Sequence, residues 1–286
     1  MTLARQLCSG GSILLAPGVW DPLSAHVAAR AGFPLLFLSG SALAFTRLAR
    51  PDINLLTLPE LVDTAARIAE RVEVPLLVDG DSGLGGPAMV ARLARGLARA
   101  GAAGVQIEDQ LDTKPASAPT SRPLLPRGEW LGRLRAALDA RPGAGFLVSA
   151  RTDAALTAGL DEALERAALA AQAGADLLFV EGLRTTAEVA RMVAVLGGTR
   201  PLIANIVDAG LLPIGSAAEA AAAGFRIALF PNALVGAMAH ALEQAAGQLA
   251  RAGSTAPLRD RLHAPPALNA LVDAPAFLAA LARYAP

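Results

Sequence analysis

The chain holds one cysteine, Cys8, so no disulfide can form within it. That excludes the small cross-linked scaffolds of secreted proteins and fits a reducing cytoplasm. Histidine is almost as scarce: His26, His240 and His263 fall on predicted helices or the tail, and no Cys/His cluster suggests zinc. Neither sign of charge prevails, since 25 basic and 25 acidic residues leave a formal net charge of +0. Without a basic run, neither nucleic acid nor an anionic membrane surface is expected as a partner. No apolar run reaches the ~18 residues of a membrane helix. The nearest, residues 227–242, is broken by Pro231, Asn232 and His240 and reads as a buried strand followed by a helix. The opening residues, Met1 to Cys8, lack the apolar core of a signal peptide, so a cytoplasmic location is expected.

Hydrophobic residues make up 53% of the 286, much of it alanine, and only 4% are aromatic, a balance that favours helix. Short apolar runs alternate with amphipathic stretches. Candidate strands are 13–15, 35–38, 75–78, 104–107, 146–148, 177–180, 202–204 and 227–230. Each is nearly continuously apolar, as strands buried on both faces of a parallel sheet must be. Leu61, Val62, Ala65, Ile68, Ala69 and Val72 share one helical face, behind a capping box that runs from Thr57 to Glu60 with Pro59 inside it. Met89, Val90, Leu93 and Leu97 form a second stripe, and Leu160, Ala163, Leu164, Ala167 and Ala171 a third. Gly32, Gly101, Gly174 and Gly224 each stand between a helix and the next strand, where a left-handed residue closes the helix. Eight such units predict an α/β chain folded as a (β/α)8 TIM barrel, with an open doubly wound sheet as the alternative. Residues 1–286 read as a single barrel domain, with 252–286 as a Pro-rich helical extension. The loop 111–127, rich in Pro, Ser and Thr, has the character of a functional lid or a disordered insert.

In a barrel the C-terminal ends of all strands open on one face, where the active site lies. After the second strand come Ser39, Gly40 and Ser41, and after the third Asp79 and Asp81. The fourth is followed by Glu108 and Asp109, the fifth by Arg151 and Asp153, the sixth by Glu181 and the seventh by Asn205. Taken singly, such a residue is as readily a solvated loop start or a helix cap. Several carboxylates gathered at one mouth repel unless a cation offsets them. Their oxygens suit a hard ion, Mg2+ or Mn2+. The glycines of the 79–86 run match no phosphate-binding pattern, and they let the backbone turn tightly beside such an ion.

Six blocks, in order, carry a resemblance. Residues 17–24 (PGVWDPLS), 39–41 (SGS), 78–83 (VDGDSG), 107–110 (IEDQ), 150–153 (ARTD) and 181–182 (EG) resemble the signatures of the isocitrate lyase / phosphoenolpyruvate mutase superfamily. The resemblance spans residues 13 to about 235. It implies a barrel that assembles as a homodimer or homotetramer by swapping its eighth helix. It implies that Asp79 is the direct Mg2+ ligand, that Asp81 and Glu108 hold the ion's waters, and that Asp52 completes the metal shell. Ser39, Gly40 and Ser41 would bind the substrate carboxylate, partly through backbone N–H groups, and Arg151 would pair with it. Glu181 and Asn205 match positions that meet the distal part of the substrate in carbon–carbon lyases.

The pattern breaks in the gate loop. Family lyases carry Lys-Lys/Arg-Cys-Gly-His there, and the cysteine protonates the departing carbanion. Here Lys114 keeps the lysine while Ala116 and Ala118 replace the cysteine and histidine. Lys114 or a metal-bound water is the remaining proton donor, and a solvated loop charge is the plain alternative for Lys114. Three readings stay open. The first is a Mg2+-dependent carbon–carbon lyase or decarboxylase acting on a small 2-oxo- or 2-hydroxy-dicarboxylate through a metal-stabilised enolate; Glu181, Asn205 and Pro231 favour it. The second is a phosphonopyruvate mutase or hydrolase, which Gly80 between the two aspartates favours. The third is a barrel that has lost turnover and serves as a binding or scaffold protein.

Overall fold

The structure, a computed structural model, describes residues 2–8, 12–111, 122–208 and 210–284. It forms two compact units, Met1–Ala233 and Leu234–Pro286.

In the first unit eight strands run parallel: β1 (Leu14–Val19), β2 (Leu36–Leu38), β3 (Leu76–Asp79), β4 (Gly104–Glu108), β5 (Leu147–Thr152), β6 (Leu177–Val180), β7 (Ile203–Asn205) and β8 (Ile227–Phe230). All eight predicted strands are present. β1 runs on through Pro17 and Gly18, and β5 continues through Arg151 and Thr152. Neighbours pair in chain order, and β8 pairs with β1. A single parallel bridge, Leu178 to Leu202, joins β6 to β7 and brings the sheet round to a nearly closed barrel. Consecutive order with β8 against β1 rules out the open doubly wound alternative.

The helices follow the periodicity: α1 (Leu3–Cys8), α2 (Pro22–Arg30), α3 (Gly40–Leu43), α4 (Leu58–Arg71), α5 (Pro87–Arg99), α6 (Arg127–Ala140), α7 (Ala154–Thr157), α8 (Leu160–Ala173), α9 (Thr186–Leu196) and α10 (Ala217–Ala223). α4 begins at the expected capping box, with the Thr57 N–H donating to Glu60 at 2.9 Å, and it buries Leu61, Ala65 and Ile68. The four helix-closing glycines all have positive φ, between 89° and 104°. A π-helical segment, Ala44–Leu48, follows α3 and was not foreseen.

Register fixes which side chains point inward. Leu14, Leu35, Leu77, Leu147, Leu177, Phe179, Ile203, Ile227 and Leu229 form one buried cluster, and Leu3 of α1 joins it. Most of these lie at the N-terminal ends of strands, so α1 seals that end. Fully burying one such side chain stabilises by about 1.5–3 kcal/mol. With one end filled by leucine, isoleucine and phenylalanine, polar inward-facing residues gather at the other.

The second unit continues α11 (Ala233–Ala252) and adds a 3-10 turn (Ala256–Arg261), α12 (Pro265–Leu271) and α13 (Ala274–Leu281). An 18-residue window within residues 256–284 has a mean hydropathy of 1.3. Their α-helices are seven and eight residues long, far short of the ~20 that span a bilayer.

Candidate active site

The third and fourth strands set the acidic side of the mouth. Asp79 ends β3 and is in register with Gln106 of β4. Gln106 is fully buried, and its Nε2 donates to Asp79 Oδ1 at 3.4 Å. Past Asp79 the backbone turns sharply: Asp81 has φ +48°, the Gly80 N–H bonds the Gln106 carbonyl at 2.9 Å, and the Glu108 N–H bonds the Asp81 carbonyl at 2.8 Å. A Cβ on Gly80 would lie 2.8 Å from that Gln106 carbonyl. Gly80 is therefore required by packing against β4, which accounts for it without reference to a phosphonate. Asp81 and Glu108 are buried.

Gly40 ties the serines to the carboxylates. A Cβ built there would lie 3.3 Å from Asp79 Oδ2 and 3.7 Å from Asp81 Oδ2, so both oxygens face one point beside the Gly40 backbone. Ser39 caps α3 and bonds Ser41, Oγ to Oγ, at 3.1 Å. Ser41 in turn donates to Asn232 Oδ1 at 2.9 Å.

Arg151 occupies the adjoining side. It is in register with Glu108, and its Nε lies 3.4 Å from Glu108 Oε2. Asp153 takes two bonds from it, from Nε and Nη2, both at 3.0 Å, and the guanidinium stacks 5.0 Å from the Phe179 ring centre. Burial opposes its charge, but Asp153, Glu108 and Glu181 outweigh that and hold the pKa well above the ordinary arginine value. Burial also works against the Asp153 anion. Arg151 and Arg122 prevail there, and its pKa lies below the usual aspartate range. Arg122 also bonds Asp153 directly. Beyond, Asn205 Nδ2 donates to Glu181 Oε2 at 3.0 Å.

A second buried network backs this wall. Asp109 accepts from Thr152 Oγ1 at 2.6 Å, from the Asp153 N–H at 2.8 Å and from Arg166 Nη1 at 3.3 Å. Its pKa is pushed up to about 6, chiefly by burial and despite those hydrogen bonds. Arg166 also holds the Leu125 carbonyl at 3.0 Å. The Leu111 and Leu125 N–H groups bond the carbonyls of Pro123 and Asp109, each at 2.8 Å, so the two feet of the gate loop are tied together. Removing one partner from a buried ion pair of this kind costs about 3–5 kcal/mol.

The structure therefore brings together Ser39, Gly40, Ser41, Asp79 and Asp81, joins Arg151 to Glu108, and pairs Glu181 with Asn205. Asp52 is half-buried in the loop before α4. Asn54 and Leu56 of that loop line a cavity of about 480 Å³ with Leu84 and Gly85, which sets the Asp52 loop beside the Asp81 loop. Lys114 lies outside the described residues, as do Ala116 and Ala118. Sequence reasoning gave no role to Gln106, Arg122, Arg166 or Asn232, and counted Asp153 only among the carboxylates at the mouth. Arg166 sits in an Ala-rich helix, where no neighbouring residue marks it as buried.

Among the described residues, no three histidine, cysteine, aspartate or glutamate side chains gather closely enough to ligate one ion together. A shell with one direct carboxylate and the others acting through water needs no such cluster, and Mg2+ keeps several waters. The donor set fits a hard cation: oxygen throughout, with Asp79 and Asp81 aimed at a common point.

Comparison with known proteins follows the same lines. The family model for phosphoenolpyruvate phosphomutase matches residues 3–250. The chain belongs to the phosphoenolpyruvate mutase / isocitrate lyase superfamily. It is 36% identical to 2,3-dimethylmalate lyase of Eubacterium barkeri over 81% of this chain and 79% of the relative. A crystal structure of 2,3-dimethylmalate lyase superposes with a TM-score of 0.92 at 35% identity, covering 99% of this chain and 94% of that one. Identity to 2-methylisocitrate lyase of Aeropyrum pernix is 36%, over 91% of this chain and 82% of the relative. Phosphonopyruvate hydrolase in complex with oxalate and Mg++ superposes at 0.89 with 27% identity, covering 99% of each chain. This superfamily member is an enzyme of the lyase type.

Proposed function

We propose that the chain is a Mg2+-dependent carbon–carbon lyase or decarboxylase acting on a small 2-oxo- or 2-hydroxy-dicarboxylate. The observation that carries this reading is the convergence of Asp79 and Asp81 on the Gly40 backbone, with Arg151 set against Glu108. Asp79 would hold the ion, with Asp81, Glu108 and Asp52 binding its waters, and Mn2+ would serve in place of Mg2+. When bound, the ion supplies positive charge to the enolate oxygen that develops as the bond breaks.

The chain's own groups do the rest. The Ser39–Ser41 backbone receives one carboxylate. Arg151 presents a planar guanidinium to it, two of whose nitrogens Asp153 holds in place. Phe179 under the guanidinium keeps water from that face. Glu181, oriented by Asn205, faces the distal part of the substrate. Decarboxylation needs no acid at the bond-breaking step, because CO2 leaves alone. Retro-aldol cleavage needs both a base and an acid. The replacement of the gate-loop cysteine by Ala116 therefore favours decarboxylation, or cleavage with Lys114 as donor.

Similarity to a phosphonopyruvate hydrolase keeps phosphonate chemistry as the second reading. The deciding experiment offers oxaloacetate, 2-methylisocitrate, alkylmalates and phosphonopyruvate with Mg2+ and follows pyruvate and phosphate. Pyruvate from a dicarboxylate is expected. Phosphate from phosphonopyruvate alone would overturn the leading reading, and turnover of none of them would return the chain to the scaffold reading.

We also infer a homo-oligomer, supported by the apolar surface of the second unit. Leu242, Leu249, Leu268, Phe277 and Leu278 are all exposed there, and side chains of this kind call for cover.

A further inference from the structure

The hydroxyls of Ser39 and Ser41 are already committed. Ser41 has one proton and gives it to Asn232 Oδ1 at 2.9 Å. Its 3.1 Å contact with Ser39 must then be donated by Ser39. Ser39 Oγ itself accepts from the Ala42 N–H at 3.3 Å. The relay runs Ala42, Ser39, Ser41, Asn232, and it ends on an amide whose Nδ2 still has two protons. Among the described residues, Asn232 has no other side-chain partner, and it is half-buried. Among the side chains, an anion arriving at this segment meets lone pairs on both serine oxygens and N–H donors on Asn232.

The backbone holds that amide in place. Asn232 follows Pro231 at the end of β8, and a Cβ on Gly18 would lie 1.9 Å from the Pro231 carbonyl oxygen. Only glycine at position 18 lets β1 and residue 231 approach this closely. The Ser41–Asn232 bond then spans β1 to join the ends of β2 and β8. Gly40, between the two serines, adjoins the Asp79 and Asp81 carboxylates. The relay therefore terminates at the mouth of the site.

We propose that Asn232 is a substrate-contacting residue whose Nδ2 donates to the carboxylate held at the Ser39–Ser41 segment, a recognition role the serine hydroxyls cannot fill themselves. This rests on the reading of that segment as the carboxylate site. Because the relay uses up the hydroxyl donors, side-chain donation to the carboxylate falls to residue 232, beside the backbone N–H groups of the segment.

The test is calorimetric titration of the full chain with oxalate at saturating Mg2+. Asn232→Asp keeps an oxygen for Ser41 but replaces the donors with acceptors. Asn232→Leu removes both at similar size. Both should fold as the parent does by thermal melting, and both should bind oxalate about tenfold more weakly or worse, with Asn232→Asp the weaker of the two. If only Asn232→Leu is weakened, the amide merely supports Ser41 and the proposal falls. If only Asn232→Asp is weakened, a nearby charge and not donation sets the affinity, and the proposal falls again. Oxalate binding unchanged in both has the same consequence. Failure of the parent chain to bind oxalate with Mg2+ would strike the proposed carboxylate site itself, and this inference with it.

Discussion

The two compact units handle their apolar side chains in opposite ways. In the barrel, Leu36, Leu38, Leu77, Leu93 and Leu97 are fully buried, because each strand and each core-facing helix stripe meets another layer of the same unit. In the C-terminal unit, Phe277 is 65% exposed, Leu278 61% and Tyr284 81%. The sequences differ accordingly. Barrel helices such as α4 alternate an apolar stripe with Asp63, Arg67 and Glu70, whereas α13 reads APAFLAAL and has no charged face. A helix without a polar face wants cover on more than one side. The contrast separates a unit that completes its own core from one that leaves apolar side chains uncovered, and the proposed homo-oligomer would use the second.

That division can be broken by substitutions that disturb one region and leave the other unaffected. The largest effect is expected at Asp79. Asp79→Ala should cut turnover on the order of 10³-fold or more, since charge stabilisation by a metal is worth several kcal/mol. The melting temperature should hardly move, because a strand-end carboxylate packs little core. Steady-state kinetics with and without chelator, beside a thermal melt, check both statements.

Arg151→Lys should raise KM by roughly tenfold to a hundredfold, because an ammonium cannot supply paired, planar donors; each tenfold corresponds to ~1.4 kcal/mol. An unchanged KM and kcat would remove Arg151 from the site. On the other side of the comparison, Phe277→Glu combined with Leu278→Glu should convert the oligomer to a smaller species, seen by light scattering at micromolar concentration. Mg2+ binding by the barrel should be retained. A parent chain that is already monomeric would defeat the assembly account.

The smallest effect concerns acid stability within the barrel. Arg127 bonds both Glu162 and Glu165, and it is the main reason that the Glu162 pKa falls to about 2. A carboxylate lowered on folding adds stability above its unfolded pKa, about 4.3. That stability is lost as pH falls toward 2. Glu162→Gln should therefore lower stability modestly at neutral pH and flatten its loss between about pH 4.5 and 2, so that the two chains converge near pH 2. Solvent screening keeps the difference modest. Denaturant titrations across that range would show it.

Much of the barrel was legible because buried parallel strands leave runs such as LLVD and LLFV that few other structures need, with a helix-closing glycine ahead of several of them. The candidate site was legible where a charge directly follows such a run, as at Asp79, Glu108 and Glu181. Other features were hidden for physical reasons. β5 carries Ser149 and Arg151 in its interior, so its polar end looked like a loop, although those side chains point into the mouth. Asn232 stood out only as a break in the apolar run 227–242, and the closing of β8 onto β1 carries it to Ser41. Arg166 and Asp109 are 57 residues apart, and nothing local in an Ala-rich helix marks its one buried guanidinium. The π-helical turn at Ala44–Leu48 has no signal in periodicity, since it adds one residue to an otherwise helical stretch.

The account depends most on the acidic pair beside Gly40, and Mn2+ binding followed by electron paramagnetic resonance tests it without needing a substrate. The parent chain should bind one Mn2+ per subunit, displaced by excess Mg2+, while Asp79→Ala should leave the added Mn2+ with the spectrum of the free ion. Equal binding by Asp79→Ala and the parent would place the metal elsewhere and contradict the account.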